Sequence, residues 1–138
     1  MSARIAAERD VLIVACAVSA GIHAALTPAH LAEGTAAGAG FGLAAVALGC
    51  LTVALTRHAS AWALARATAV LGGLLASYGA AVTTGIPLVL PEPEPIDTLA
   101  LVTKAVEVVG LLSAAHLLAH ARSAVAAAAP LRPKGHPA

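Results

Sequence analysis

Two histidines and a glutamate stand close together at the end of a long apolar run: His23, His30 and Glu33 in the stretch GIHAALTPAHLAEG. Two further carboxylates, Asp97 and Glu107, stand at the start of the last apolar run and within it. Imidazole nitrogens and carboxylate oxygens together suit a borderline divalent ion such as zinc, manganese or copper(II). These five residues are therefore the candidate ligands of a divalent-metal site.

Residue spacing supports this ligand set if the apolar runs are helices. His23 and His30 are seven residues apart, which places both on one face of a helix. With a rise of about 1.5 Å per residue, His23 lies roughly 8 Å below Pro28, and Glu107 lies roughly 14 Å below Thr98. We therefore expect His23 and Glu107 to share one layer of a membrane.

The last apolar run also contains Lys104, three residues before Glu107. An ionisable group near the middle of a membrane helix costs on the order of 2.5 to 3.5 kcal/mol, so it indicates a function or a compensating partner. Three interpretations stay open. The charged residues form a metal site, a proton or substrate relay, or a structural network. In the network Lys104 pairs with Glu107, and His23 donates to a backbone carbonyl or to Glu107.

The composition is that of an integral membrane protein. Hydrophobic residues make up 59% of the 138 residues, charged residues make up 11%, and the mean hydropathy is +0.88. A net charge of +1 and a single Phe, Trp and Tyr offer little to nucleic acid, which is excluded as a partner. The lipid bilayer is the expected partner instead.

Four apolar stretches are long enough to cross a bilayer, which takes roughly 20 residues of helix. They predict an all-α fold, a bundle of four transmembrane helices that forms one domain over residues 1–122, followed by a flexible cytoplasmic tail over 123–138. Pro28 and Gly34, the turn TRHAS and the acidic segment PEPEPID separate the stretches. The predicted spans cover residues 10–28, 36–56, 61–88 and 98–120.

The basic residues predict the orientation of this bundle. Apart from Lys104, every Lys and Arg falls at the end that holds both termini and the turn between spans two and three. The two loops at the opposite end contain four acidic residues and no basic one. Since positive residues favour the cytoplasmic side, we expect both termini in the cytoplasm and a multi-pass protein of the cell membrane. The candidate metal site is then extracytoplasmic.

Other polar residues carry weaker signals. His116 and His120 are four residues apart and face the loop with His58, but without a third strong ligand they are interpreted as solvated histidines. Ser77 and Tyr78 are expected to form interhelical hydrogen bonds. The sequence contains no GxSxG, HExxH or phosphate-binding loop, so it predicts no particular enzyme activity.

Two classes of function agree with these features. The first is a small integral membrane protein that binds a divalent metal ion on its outer side through spans one and four. The second is an accessory or scaffold subunit of a membrane complex, in which the buried polar residues hold helices of this chain or of a partner together. A free-standing transporter is a third class, for which four short helices would have to form a homo-oligomer to enclose a transport path.

The chain resembles small four-span integral membrane proteins of actinobacteria. The resemblance lies in GIHAALTPAHLAE, residues 21–33, and in GIPLVLPEPEPIDTLALVTKAVE, residues 85–107. Spans two and three match only in hydrophobic character. The resemblance implies a four-span fold and no particular activity, and Lys104 is not part of the shared pattern. It favours as site residues His23, His30, Glu33, Asp97 and Glu107.

Overall fold

The computed structural model describes residues 3–87, 89 and 92–128, and these residues form four α-helices without a strand. Each helix is long and apolar enough to cross a membrane. A helix suits lipid because it satisfies its backbone hydrogen bonds internally. The structure thus confirms the predicted all-α bundle of four membrane-spanning helices. The helices are α1 (Ala3–Glu33), α2 (Thr35–Arg57), α3 (Ala61–Thr83) and α4 (Thr98–Ala128).

The helix boundaries differ from the predicted spans at both ends of α1, which begins at Ala3, and at the ends of α3 and α4. Helix α1 contains Pro28 and continues to Glu33, so the expected break at this proline is wrong. A proline removes one backbone donor from a helix, and membrane helices tolerate this loss. Helix α3 ends at Thr83, before the predicted end at Leu88, which lies outside the described residues.

Helix α4 is longer than the predicted last span and continues to Ala128. Residues 123–128 of the predicted flexible tail are therefore helical, as an alanine-rich segment favours. The rest of that tail, residues 129–138, lies outside the described residues.

The connections divide the bundle into two ends. Gly34 alone joins α1 to α2. Residues 84–97 join α3 to α4, and this connection contains Gly85, whose positive φ of 72° suits glycine. We call this end the loop end. The opposite end, which we call the terminal end, holds the first residues of α1, the last residues of α4 and the short α2–α3 turn. In this turn Ser60 caps α3 by accepting a hydrogen bond from Ala63 N–H at 3.2 Å.

The helices pack in the cyclic order α1, α2, α3, α4, with α1 against α2 and α4, and α3 against α2 and α4. Leu12, Leu48 and Leu71 are fully buried in the core at the centre and terminal half of this ring. Helices α1 and α4 approach closely at Gly110, where an added Cβ would lie 3.0 Å from the Ala15 Cβ atom. A larger residue there would separate the two helices that carry the ionisable groups.

Many other large apolar side chains face outward. Leu43 is 71% exposed and Leu112 is 66% exposed, and both belong to helices that are long enough to cross a membrane. An apolar surface of this extent is stable in lipid rather than in water. The exposed faces therefore agree with a bilayer as the surroundings of the bundle.

Candidate functional site

Helices α1 and α4 are joined by a buried polar cluster, which consists of Ser19, His23, Lys104 and Glu107. Glu107 is 0% exposed. Its Oε1 atom accepts a hydrogen bond from Ser19 Oγ at 2.8 Å, and its Oε2 atom accepts one from Lys104 Nζ at 2.6 Å. The buried carboxylate thus has a cationic partner on its own helix and a hydroxyl donor from α1, which offsets its loss of hydration.

His23 completes the polar cluster from α1. Its Nδ1 atom lies 2.9 Å from the backbone oxygen of Ser19, and a carbonyl can only accept, so Nδ1 carries the proton in this contact. The Nε2 atom then faces Glu107, at 3.9 Å from Oε1. This distance is too long for a hydrogen bond, although it confirms that His23 and Glu107 share one layer.

The contacts of the polar cluster are those expected if the ionisable residues form a structural network. Lys104 pairs with Glu107, and His23 donates to a backbone carbonyl. Sequence reasoning missed Ser19, which contributes the only hydroxyl that binds Glu107 among the described residues. The available signal was its position four residues before His23, since such residues share a helix face.

The other three predicted metal ligands lie apart from the polar cluster. The ring of His30 packs on Phe41, with 3.8 Å between the ring centres. Glu33 is the exposed last residue of α1, about 15 Å along the helix from His23 at the usual rise. Asp97 caps α4, because its Oδ1 atom accepts a hydrogen bond from Ala100 N–H at 2.7 Å.

The described ranges therefore do not contain the metal centre expected from the sequence. Within residues 3–87, 89 and 92–128, no three His, Cys, Asp or Glu side chains are grouped so that they could hold a metal ion. His23 and Glu107 alone come together, and the ammonium of Lys104 occupies the other side of the carboxylate. A cation beside Glu107 would be repelled by this ammonium.

A cavity of about 310 Å³ lies between the four helices at the loop end, adjacent to the polar cluster. Its wall is mainly aliphatic, with the ring of Phe41 from α2. Lys104 lines it from α4 and is 16% exposed, while Glu107 is not part of the wall. The other polar residues that line it are His23, His30, Ser77, Tyr78, Glu94, Asp97 and Thr103.

Two polar atoms of the cavity-lining residues lack a hydrogen-bond partner within the described chain. They are the hydroxyl of Tyr78 and the Nδ1 atom of His30, and both are buried. Ser77, by contrast, donates to the backbone oxygen of Leu74 in its own helix at 3.0 Å. Among the residues that the structure describes, the expected interhelical hydrogen bonds of Ser77 and Tyr78 are therefore not formed. The Lys104 ammonium lies 5.3 Å from the centre of the Tyr78 ring, within range of a cation–π contact.

The cavity is closed toward the terminal end. Below the polar cluster, Leu12, Cys16, Leu71 and Ala114 are all 0% exposed and form an apolar layer. These side chains form an apolar floor beneath the cavity.

The histidines at the terminal end do not form a second site. His116 Nδ1 forms a hydrogen bond with Oε2 of Glu8, whose Oε1 atom accepts a hydrogen bond from Arg4 Nε at 3.0 Å. His58 and His120 are exposed. His58 and His120 are thus exposed as predicted, whereas His116 differs from the prediction because its hydrogen bond with Glu8 links α1 and α4 at the terminal end.

Comparison with known proteins does not assign the chain to a group. No protein-family model, curated protein or solved structure matches it. The resemblance to small four-span proteins of actinobacteria therefore stays a prediction from two sequence segments, and the function is inferred from the cavity and the polar cluster.

Proposed function

We propose that this protein binds a small lipid-soluble molecule in its loop-end cavity. The observation that carries the proposal is the cavity itself, which has a volume of about 310 Å³ and is lined by residues of all four helices. Binding sites for small molecules have volumes of roughly 300 to 1,000 Å³, apolar walls and a few convergent polar groups. Lys104 and the unpartnered hydroxyl of Tyr78 are such polar groups here.

The surroundings support a membrane-soluble ligand. The outer faces of the helices are apolar, so the bundle sits in lipid, where such molecules concentrate. The distribution of Lys and Arg supports a cell-membrane protein with the loop end outside. The apolar floor of the cavity favours a protein that holds or presents its ligand over one that conducts it.

The divalent-metal hypothesis is the second candidate, because His23 Nε2 lies 3.9 Å from Glu107 Oε1. Lys104 stands against it, since its ammonium already neutralises the carboxylate. Elemental analysis of the purified protein separates the two. Stoichiometric zinc, manganese or copper in the wild type, and its loss from His23→Ala and Glu107→Gln, would favour metal binding over our proposal.

The role of an accessory or scaffold subunit is compatible with the polar cluster, whose contacts lie within this chain. The cavity favours ligand binding, because a purely structural bundle gains stability by filling such a space. Crosslinking in native membranes followed by purification tests for a partner protein. A stable partner that covers the loop end and fills the cavity would replace our proposal with the subunit role.

Filling the cavity is the direct test of ligand binding. The probe is 2-ethylnaphthalene, an apolar molecule, and its binding is measured by equilibrium dialysis against matched micelles without protein. Ala81→Phe places a ring at a buried position of the cavity wall, and Ala76→Phe places the same ring on the exposed face of the same helix. We expect wild type and Ala76→Phe to bind the probe and Ala81→Phe to lose binding. Equal uptake by all three proteins would overturn the proposal.

A further inference from the structure

We infer that the polar end of the ligand is an uncharged hydrogen-bond acceptor, such as the carbonyl oxygen of a ketone or quinone, which binds beside Lys104 and Tyr78. This inference rests on the proposed function and specifies the ligand class of the same cavity. It follows from the donors that the cavity offers and from the charges around them.

Two polar side chains of the cavity wall, Lys104 and Tyr78, can donate hydrogen bonds to a ligand. The Lys104 ammonium has three N–H groups and no acceptor, and among the described residues it donates to Glu107 alone. Within the described part of the chain, the Tyr78 hydroxyl is buried without a hydrogen-bond partner. A buried donor without an acceptor is unfavourable, so a ligand that brings an oxygen acceptor to this position stabilises both itself and the protein.

The two donors belong to one region of the cavity. Lys104 Nζ lies 5.3 Å from the centre of the Tyr78 ring, so the ammonium and the phenol are neighbours across the α3–α4 interface. The remaining wall around them is apolar, with Leu74, Leu99 and the Phe41 ring among its residues. One acceptor atom on an otherwise apolar molecule matches this distribution.

Charge excludes an anionic ligand from this position. The Lys104 ammonium is neutralised by the Glu107 carboxylate at 2.6 Å. Glu94 and Asp97 also line the cavity, and Lys104 is the one Lys or Arg residue of its described wall. An anion would therefore enter a site whose formal charge is negative, and the nearby carboxylates would repel it.

Hydrogen bonding disfavours an ammonium ligand at the position beside Lys104 and Tyr78. The carboxylates of Glu94 and Asp97 attract a cation toward the loops, but an ammonium group has no lone pair that could accept a hydrogen bond from Lys104. An uncharged acceptor avoids repulsion by the carboxylates and still uses the free N–H groups of Lys104. The neutral carbonyl class is therefore favoured over amines as well as over carboxylic acids.

The test compares four naphthalene probes that share one ring system and differ in the substituent. They are 2-acetylnaphthalene, 2-ethylnaphthalene, 2-naphthoate and 2-naphthylmethylammonium, each measured by equilibrium dialysis against protein-free micelles to remove partitioning. We expect the ketone to bind about fivefold or more tightly than the ethyl analogue, as one added hydrogen bond allows. Tighter binding of the naphthoate or the ammonium probe than of the ketone would overturn the inference.

Two conservative variants test whether the Tyr78 hydroxyl causes the preference for the ketone probe. Tyr78→Phe removes one oxygen and keeps the ring, while Thr83→Val removes an exposed hydroxyl that is bonded within the same helix and lies outside the cavity wall. We expect Tyr78→Phe to weaken ketone binding and leave ethylnaphthalene binding unchanged, and Thr83→Val to alter neither. An unchanged ketone preference in Tyr78→Phe would overturn the inference while ligand binding itself still stood. Failure of all four probes to bind wild type would instead overturn the proposed function.

Discussion

Lys104 and Glu107 form an ion pair of 2.6 Å inside the bundle, one helical turn apart on α4, with the carboxylate fully buried. We expect Lys104→Leu to destabilise the protein by about 3 to 5 kcal/mol, because it leaves a buried carboxylate without its cation. Thermal unfolding in detergent measures this effect. Replacing Glu107 by Leu in the same variant should restore much of the lost stability.

Val109→Leu is the matched control for this ion pair, since Val109 is 49% exposed on the same helix. It should unfold at the wild-type temperature. Wild-type stability of Lys104→Leu, with Glu107 present, would show that the pair does not stabilise the buried carboxylate.

The Ser19 hydroxyl gives a second prediction, because it is the α1 donor to Glu107 at 2.8 Å. Ser19→Ala should cost about 1 to 3 kcal/mol, the range for a buried group that loses a hydrogen bond. Ser77→Ala removes an exposed hydroxyl that bonds within its own helix, and it should change stability little. Chemical or thermal unfolding of both variants tests the difference, and equal effects would contradict the role of Ser19.

Close helix packing at Gly110 gives a third prediction. A Cβ at this position would lie 3.0 Å from Ala15 Cβ and 3.2 Å from Leu71 Cδ1, whereas a Cβ at Gly73 meets nothing within 4 Å. Gly110→Leu should therefore cost about 1 to 3 kcal/mol or more through overpacking between α1 and α4. Gly73→Leu on an exposed helix face should be neutral, and its unfolding temperature is the reference.

The orientation of the bundle gives a fourth prediction. In a background with Cys16→Ala and Cys50→Ala, a cysteine at Glu92 in the α3–α4 loop should react with a membrane-impermeant maleimide in intact cells. A cysteine at His58 in the α2–α3 turn should react only after the membrane is opened. The opposite pattern would place the basic end of the bundle outside and reverse the predicted topology.

The candidate site was only partly predictable from the residues. Seven-residue spacing correctly placed His23 and His30 on one face of α1, where both line the cavity. Depth along the helices correctly placed His23 and Glu107 in one layer. The five candidate ligands do not converge on one site as the sequence predicted, because Glu33 and Asp97 lie at helix ends. Spacing within one helix cannot show which residues of another helix lie at the same height and on the facing side.

The amino-acid sequence by itself determined the number and class of the elements. Four apolar stretches of membrane length become helices, because only internal hydrogen bonding satisfies a backbone in lipid. The turns at Gly34 and Ser60 also follow from local preferences of glycine and serine.

Only the tertiary structure decided which helix faces meet. All four helices are apolar on both lipid-facing and buried sides, so their sequences carry little periodic signal for the inward face. The meeting of Ser19 with Glu107 and of Lys104 with Tyr78 depends on how helices rotate and shift against each other. Side-chain packing sets that rotation and shift, as at Gly110, and the same packing leaves the loop-end cavity open.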